Sequence, residues 1–131
     1  MKTKNLISVV LRLIASVIML QTLYFKFTGQ PESIYIFSQV GIEPWGRIAT
    51  GVAELVATVL LWTPAAVFAG ALLTAGIMSG AIATHLFILG IVVDNDNGLL
   101  FGYAIVVWLC AVVLLVMYRH QWKPRKRNTN K

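Results

Sequence analysis

The sequence predicts an all-α protein, an integral membrane bundle of four helices with a short interfacial helix between the first and second. Three observations carry that expectation. Hydrophobic residues make up 58% of the 131-residue chain and charged residues only 12%, about half of the roughly 25% usual in soluble domains. Mean hydropathy is +0.77. The apolar residues also fall into four long runs, and four crossings at roughly 20 residues each would use about 80 residues. A soluble enzyme with a polar surface is excluded. So is a second folded domain, because the runs extend from residue 6 to residue 118.

The first run, residues 6–25, follows Lys2 and Lys4, as a signal peptide would. It is longer than a typical signal core and ends in Tyr24-Phe25-Lys26-Phe27 with no small-residue cleavage site, which makes it a retained helix. In the connection that follows, Pro31-Glu32-Ser33 leads into Ile34, Phe37 and Val40, with Gly41 after them. That spacing predicts a short helix along the membrane surface with a glycine stop. Residues 46–62 form the second spanning run. Thr63-Pro64 offers an N-cap and first helical position to the third, residues 65–90, and closes a tight hairpin. Asp94-Asn95-Asp96-Asn97-Gly98 reads as a polar turn before the fourth, residues 99–118. Residues 1–118 thus read as one transmembrane domain and residues 119–131 as a basic tail.

Charge sets orientation and partners. Of the eleven Lys and Arg residues behind the net charge of +6, six lie in the tail, and Lys2, Lys4 and Arg12 share its side. The positive-inside rule then places both termini in the cytoplasm. Trp45 and Tyr103 outside, with Trp62, Tyr118 and Trp122 inside, fit an aromatic belt. The expected partners are the lipid bilayer, anionic headgroups at the tail, and another membrane protein or a second copy of the chain. Nucleic acid is not among them, because a basic tail beside a membrane meets lipid headgroups first. The lone Cys110 excludes an intramolecular disulfide, a CxxC pair and a thiolate metal cage. His85 is the only histidine within a span, so a bis-histidine haem in this one chain is not expected, nor any other metal site.

Ionisable residues inside a bilayer are costly and face a bundle interior or a water-filled space. Helical phase places Ser8, Arg12, Ser16, Met19, Thr22 and Lys26 on one stripe of the first helix, and Arg47, Gly51, Glu54 and Thr58 on one stripe of the second. Thr74, Met78, Ala81 and His85 share a face of the third. Counting turns from the helix ends sets Glu54 roughly 10 Å and His85 roughly 8 Å below the outer surface. Lys26, Arg47, Glu54 and His85 are therefore expected to form an outward-facing pocket, while Arg12 snorkels to the cytoplasmic side. Glu54 has two readings, a structural ion pair with Arg47, Lys26 or Arg12, or a ligand or proton site. His85 likewise has two, a hydrogen bond to a neighbouring helix or a titratable group suited to proton transfer in quinone chemistry. Gly76-Ile77-Met78-Ser79-Gly80 has the GxxxG spacing of close helix approach, within the bundle or to another subunit.

The ordered set Tyr24-Phe25-Lys26-Phe27-Thr28-Gly29, Glu43-Pro44-Trp45-Gly46-Arg47, Gly51-Val52-Ala53-Glu54-Leu55 and Met78-Ser79-Gly80-Ala81 through His85 resembles the DoxX family of small bacterial membrane proteins. The resemblance covers nearly all of the chain except the tail. It implies a four-helix bundle in a bacterial inner membrane. It also marks Lys26, Glu43, Arg47, Glu54 and His85 as the family-pattern positions, here the candidate ligand-binding residues. The family takes its name from a subunit associated with thiosulfate:quinone oxidoreductase, and relatives are linked to thiol redox or to membrane-protein assembly. This chain lacks the cysteine pair of the thiol-redox relatives. The leading expectation is an accessory subunit of a quinone-linked membrane redox system with quinone as the candidate ligand, not catalytic on its own. The alternative is a binding and assembly factor for another membrane protein.

Overall fold

The computed structural model describes residues 2–90 and 98–121, and these are helical throughout apart from short connections. The helices are α1 (Lys2–Phe27), α2 (Pro31–Val40), α3 (Trp45–Leu61), α4 (Val67–Thr84) and α5 (Leu99–Met117). Within the polar turn expected before the fourth run, residues 94–97 lie outside the described residues, as do Trp122 and the rest of the tail.

The four long helices close a ring in which α1 and α4 each lie between α3 and α5. Ala15, Met19, Ala57, Leu61, Val67, Ala71, Val107 and Leu114 fill its centre. The outward faces are apolar as well, for example at Val17, Val59, Leu72 and Val113. A helix that is apolar all round suits lipid and not water. Asn5–Phe27, Pro64–Leu89 and Leu99–Met117 are each long and apolar enough to cross a membrane. With 17 residues, α3 is shorter, about 25 Å at 1.5 Å per residue. It is nonetheless the fourth wall of the ring, against α1 and α4.

Both ends of the domain meet at one end of the bundle. Ser8 Oγ and Tyr118 OH are 2.6 Å apart, and Gln121 bridges α4, accepting from Phe68 N at 2.9 Å and donating to Pro64 O at 2.9 Å. Nearby, Trp62 Nε1 donates to Ser16 Oγ at 2.8 Å. These bonds satisfy the inward polar stripe of α1, as buried hydroxyls require.

The hairpin between α3 and α4 departs from expectation at Thr63. Its hydroxyl donates back to Val59 O at 2.9 Å, so it ties the end of α3 and does not cap the next helix. A 3-10 turn over Pro64–Ala66 intervenes before α4 starts at Val67. Gly70 makes the hairpin tight, because a Cβ there would lie 2.7 Å from Leu61 N. The GxxxG pair serves no comparable contact, since a Cβ at Gly76 or Gly80 would meet nothing within 4 Å. Close packing within the bundle is therefore not the use of that spacing.

Candidate functional site

At the end of the bundle remote from Ser8 and Tyr118, the helices part around a cavity of about 630 Å³. α2 crosses this end, packed against α1, α3 and the turn that follows α4. The sequence predicts this short helix correctly, including its stop: Gly41 adopts φ +86° and its N–H bonds the carbonyls of Phe37 and Ser38. Of the three apolar positions that marked this helix, Phe37 and Val40 face the cavity. Ser33, Ile36, Phe37 and Val40 line the space, whereas Ile34 is exposed.

Three of the five candidate residues line the cavity: Lys26 from α1, Glu54 from α3 and His85 from the turn after α4. Glu54 is 1% exposed, and its two oxygens are divided between α1 partners. Oε1 accepts from Lys26 Nζ in an ion pair, and Oε2 lies 3.0 Å from Thr22 Oγ1, whose one proton is shared with the Met19 carbonyl at 2.9 Å. Lys26 is thus the cation that pairs with Glu54, among the three the sequence offered. Arg12 is three helical turns or more away along α1, and Arg47 is committed elsewhere.

Arg47 and Glu43 do not line the cavity. Arg47 Nε donates to Glu43 Oε1 at 2.9 Å and to Oε2 at 3.1 Å, and its Nη1 donates to the Lys26 carbonyl. The guanidinium therefore ties the last turn of α1 to the connection ahead of α3. A pocket containing Arg47, as the helical phase suggested, is corrected on this point: seven residues separate Arg47 from Glu54, about 10 Å along the axis, and Glu43 is nearer. Arg47 and Glu43 position the chain behind Lys26.

His85 is 6% exposed and opens a π-helical turn, His85–Leu89, in which Gly90 N bonds His85 O at 2.7 Å. This i to i+5 bond is a feature met often at functional sites. The ring Nδ1 lies 3.0 Å from Gly90 O. A carbonyl only accepts, so Nδ1 is the donor in this contact and Nε2 is the ring nitrogen left for another partner. Nε2 has no hydrogen-bond partner among the described residues, and none of their buried side-chain nitrogens or oxygens is left unsatisfied. Nε2 therefore sits where it reaches open space. Phe101 packs edge-on against the imidazole, with ring centroids 5.6 Å apart.

The remaining lining is mostly apolar, with Ile18, Ile77, Met78 and Leu100 among it, and adds Gln21, Thr50, Thr84 and Tyr103 as polar side chains. Thr22 belonged to the polar stripe legible in α1, but its bond to Glu54 did not follow from phase alone. The π turn had no signal in the sequence, because hydropathy does not register one extra residue in a turn.

One known family covers most of the chain. The profile of the DoxX-like family matches residues 10–117, from the first turns of α1 to the last residue of α5. The chain belongs to the DoxX-like family. All three cavity-lining candidates fall within the matched stretch. Neither a curated protein nor a solved structure matches the chain. Family and helices together make this DoxX-like chain a multi-pass membrane protein in contact with the lipid bilayer.

Proposed function

We propose that this DoxX-like protein holds a small ligand with a polar head and an apolar body, of the quinone class, between the Lys26–Glu54 pair and His85, as an accessory subunit of a membrane redox system. The observation that carries the reading is the convergence of three ionisable residues from three elements on one cavity. Its volume of about 630 Å³ is within the range of roughly 300–1,000 Å³ typical of small-molecule sites.

The residues present suit a quinone. Its carbonyl oxygens need donors, and the Lys26 ammonium and the Tyr103 hydroxyl line the space, the Thr84 hydroxyl proton being already given to Gly80 O. His85 Nε2 would accept from a hydroxyl of the reduced form, and the apolar walls suit the ring and tail. When bound, the quinone would supply the electron-carrying chemistry. The protein would orient the headgroup and place an imidazole beside its oxygens. The proposed setting is a bacterial inner membrane with both termini cytoplasmic, which rests on the distribution of Lys and Arg along the sequence and on Arg12 and Arg119 standing at the end of the bundle opposite the cavity.

Thermal stability of the purified full-length protein titrated with a short-chain quinone tests the reading. A ligand at about 100 times its Kd stabilises the folded state by about 2.7 kcal/mol, so wild type should gain stability. Ala53→Phe, which fills the cavity from α3, and His85→Ala should not gain it. Equal gains in all three proteins would refute the reading.

A second reading has its own observation. Gly76 and Gly80 are exposed and unpacked, so the GxxxG face of α4 is free for another membrane protein in an assembly role. Gly76→Leu, on the same face but clear of the cavity lining, should then abolish recovery of that partner while leaving the isolated bundle folded.

A further inference from the structure

Arg12 lies at the other end of the bundle from the cavity, and among the described residues its charge has no acidic counterpart. The chain has only five acidic side chains. Glu54 pairs with Lys26 and Glu43 with Arg47. Glu32 sits at the start of α2, at the cavity end, and Asp94 and Asp96 precede α5, whose opposite end carries Tyr118. Among the described residues, Arg12 forms no ion pair with a carboxylate.

The guanidinium is nevertheless held in place. Nε donates to Ser8 O at 3.4 Å, Nη1 donates to Leu61 O at 3.2 Å, and the group lies over the Trp62 ring, 4.9 Å from its centroid. Trp62 is in turn fixed by its bond to Ser16. Leu61 O is one of the carbonyls left open at the end of α3, so Arg12 meets the negative end of that helix dipole. This leaves Nη2 without a partner among the described residues, on a half-buried, immobilised cation. Val9, Leu13 and Trp62 beside it are exposed apolar surface. An arginine fork at such a boundary is suited to a phosphate oxygen, which is planar guanidinium's preferred anion together with carboxylate.

We propose that Arg12, seated on Trp62 and the end of α3, forms a discrete site for one phosphate group, that of an anionic membrane lipid. This site is distinct from any diffuse attraction of the tail. The apolar flanks favour the lipid over soluble phosphate as its source, since acyl chains would lie along Val9 and Leu13 with the headgroup at Arg12.

The test uses the full-length protein in neutral detergent, equilibrated with equal amounts of phosphatidylglycerol and phosphatidylcholine and examined by native mass spectrometry. Wild type is compared with Arg12→Gln and with a tail-neutralised chain, Arg119→Gln, Lys123→Gln, Arg125→Gln, Lys126→Gln, Arg127→Gln and Lys131→Gln together. Wild type and the tail-neutralised chain should each retain one phosphatidylglycerol in preference to phosphatidylcholine. Arg12→Gln should weaken that retention about tenfold or more, as loss of a charge-assisted hydrogen bond does. In a parallel arm without lipid, thermal stabilisation by inorganic phosphate that Arg12→Gln removes would support the anion site and assign it to soluble phosphate. Equal retention in wild type and folded Arg12→Gln, with no Arg12-dependent phosphate effect, would overturn the proposal. If Arg12→Gln fails to fold, the tail-neutralised chain decides: no preference for phosphatidylglycerol and no stabilisation by phosphate would overturn it as well.

Discussion

Removing the Lys26 ammonium alone should destabilise the bundle far more than removing the whole ion pair. At a separation of about 3 Å and an effective dielectric constant of about 20, two unit charges attract by about 5–6 kcal/mol. Taking each ion out of water costs several kcal/mol, so the pair as a whole is close to neutral relative to an apolar substitute. In Lys26→Met, Glu54 keeps its burial and retains only Thr22 as a side-chain partner. An orphaned buried charge of this kind costs about 3–5 kcal/mol. In Glu54→Leu the loss should be smaller, because the Lys26 side chain is 15% exposed at the end of α1 and can swing its ammonium toward water. The double variant should return to within about 1 kcal/mol of wild type. Reversible unfolding in mixed micelles, run as a double-mutant cycle, measures all three. A loss below about 1 kcal/mol in Lys26→Met, with additive effects in the double variant, would refute the reasoning.

Three further predictions concern packing and polar ties. Gly70→Ala should lower stability by about 1–3 kcal/mol, because its Cβ would press on the Leu61 backbone, whereas Gly76→Ala should cost nothing. Comparing their unfolding midpoints separates the two glycines. Gly51→Ala meets the Phe27 ring at 2.7 Å, but Phe27 is exposed and can swing away. Its loss should therefore stay below about 1 kcal/mol in the same assay. Tyr118→Phe strands the buried Ser8 hydroxyl and should cost about 1–2 kcal/mol, recovered largely when Ser8→Ala is added.

The sequence reveals this fold well because a lipid-facing helix is defined by apolar length, and length is visible without any knowledge of packing. The Gly41 stop was equally legible, since only glycine adopts φ +86° at little cost. The inward stripe of α1 from Ser8 to Lys26 followed from a period of 3.6. What periodicity leaves open is which residue across the bundle answers each polar group. Glu54 had three cations within plausible reach, and only the ring order of the helices selects Lys26. The Glu43–Arg47 pair has the favourable i, i+4 spacing, which was available as a signal that Arg47 was already occupied. The Gly76–Gly80 spacing shows that close approach is allowed, and the exposed face shows that the bundle itself does not use it. Thr63 misleads for a related reason: its hydroxyl can reach backward or forward, and a carbonyl of α3 was the nearer partner.

Under the proposed function, Glu54 and His85 border a ligand site and are not only structural contacts. Mass spectrometry on an organic extract of the gently purified protein tests it most directly, with wild type, Glu54→Gln and His85→Ala compared at matched amounts of folded protein. A quinone should be enriched in wild type and lost from both variants. The same bulk lipid in all three extracts, with no enriched small molecule, would contradict it.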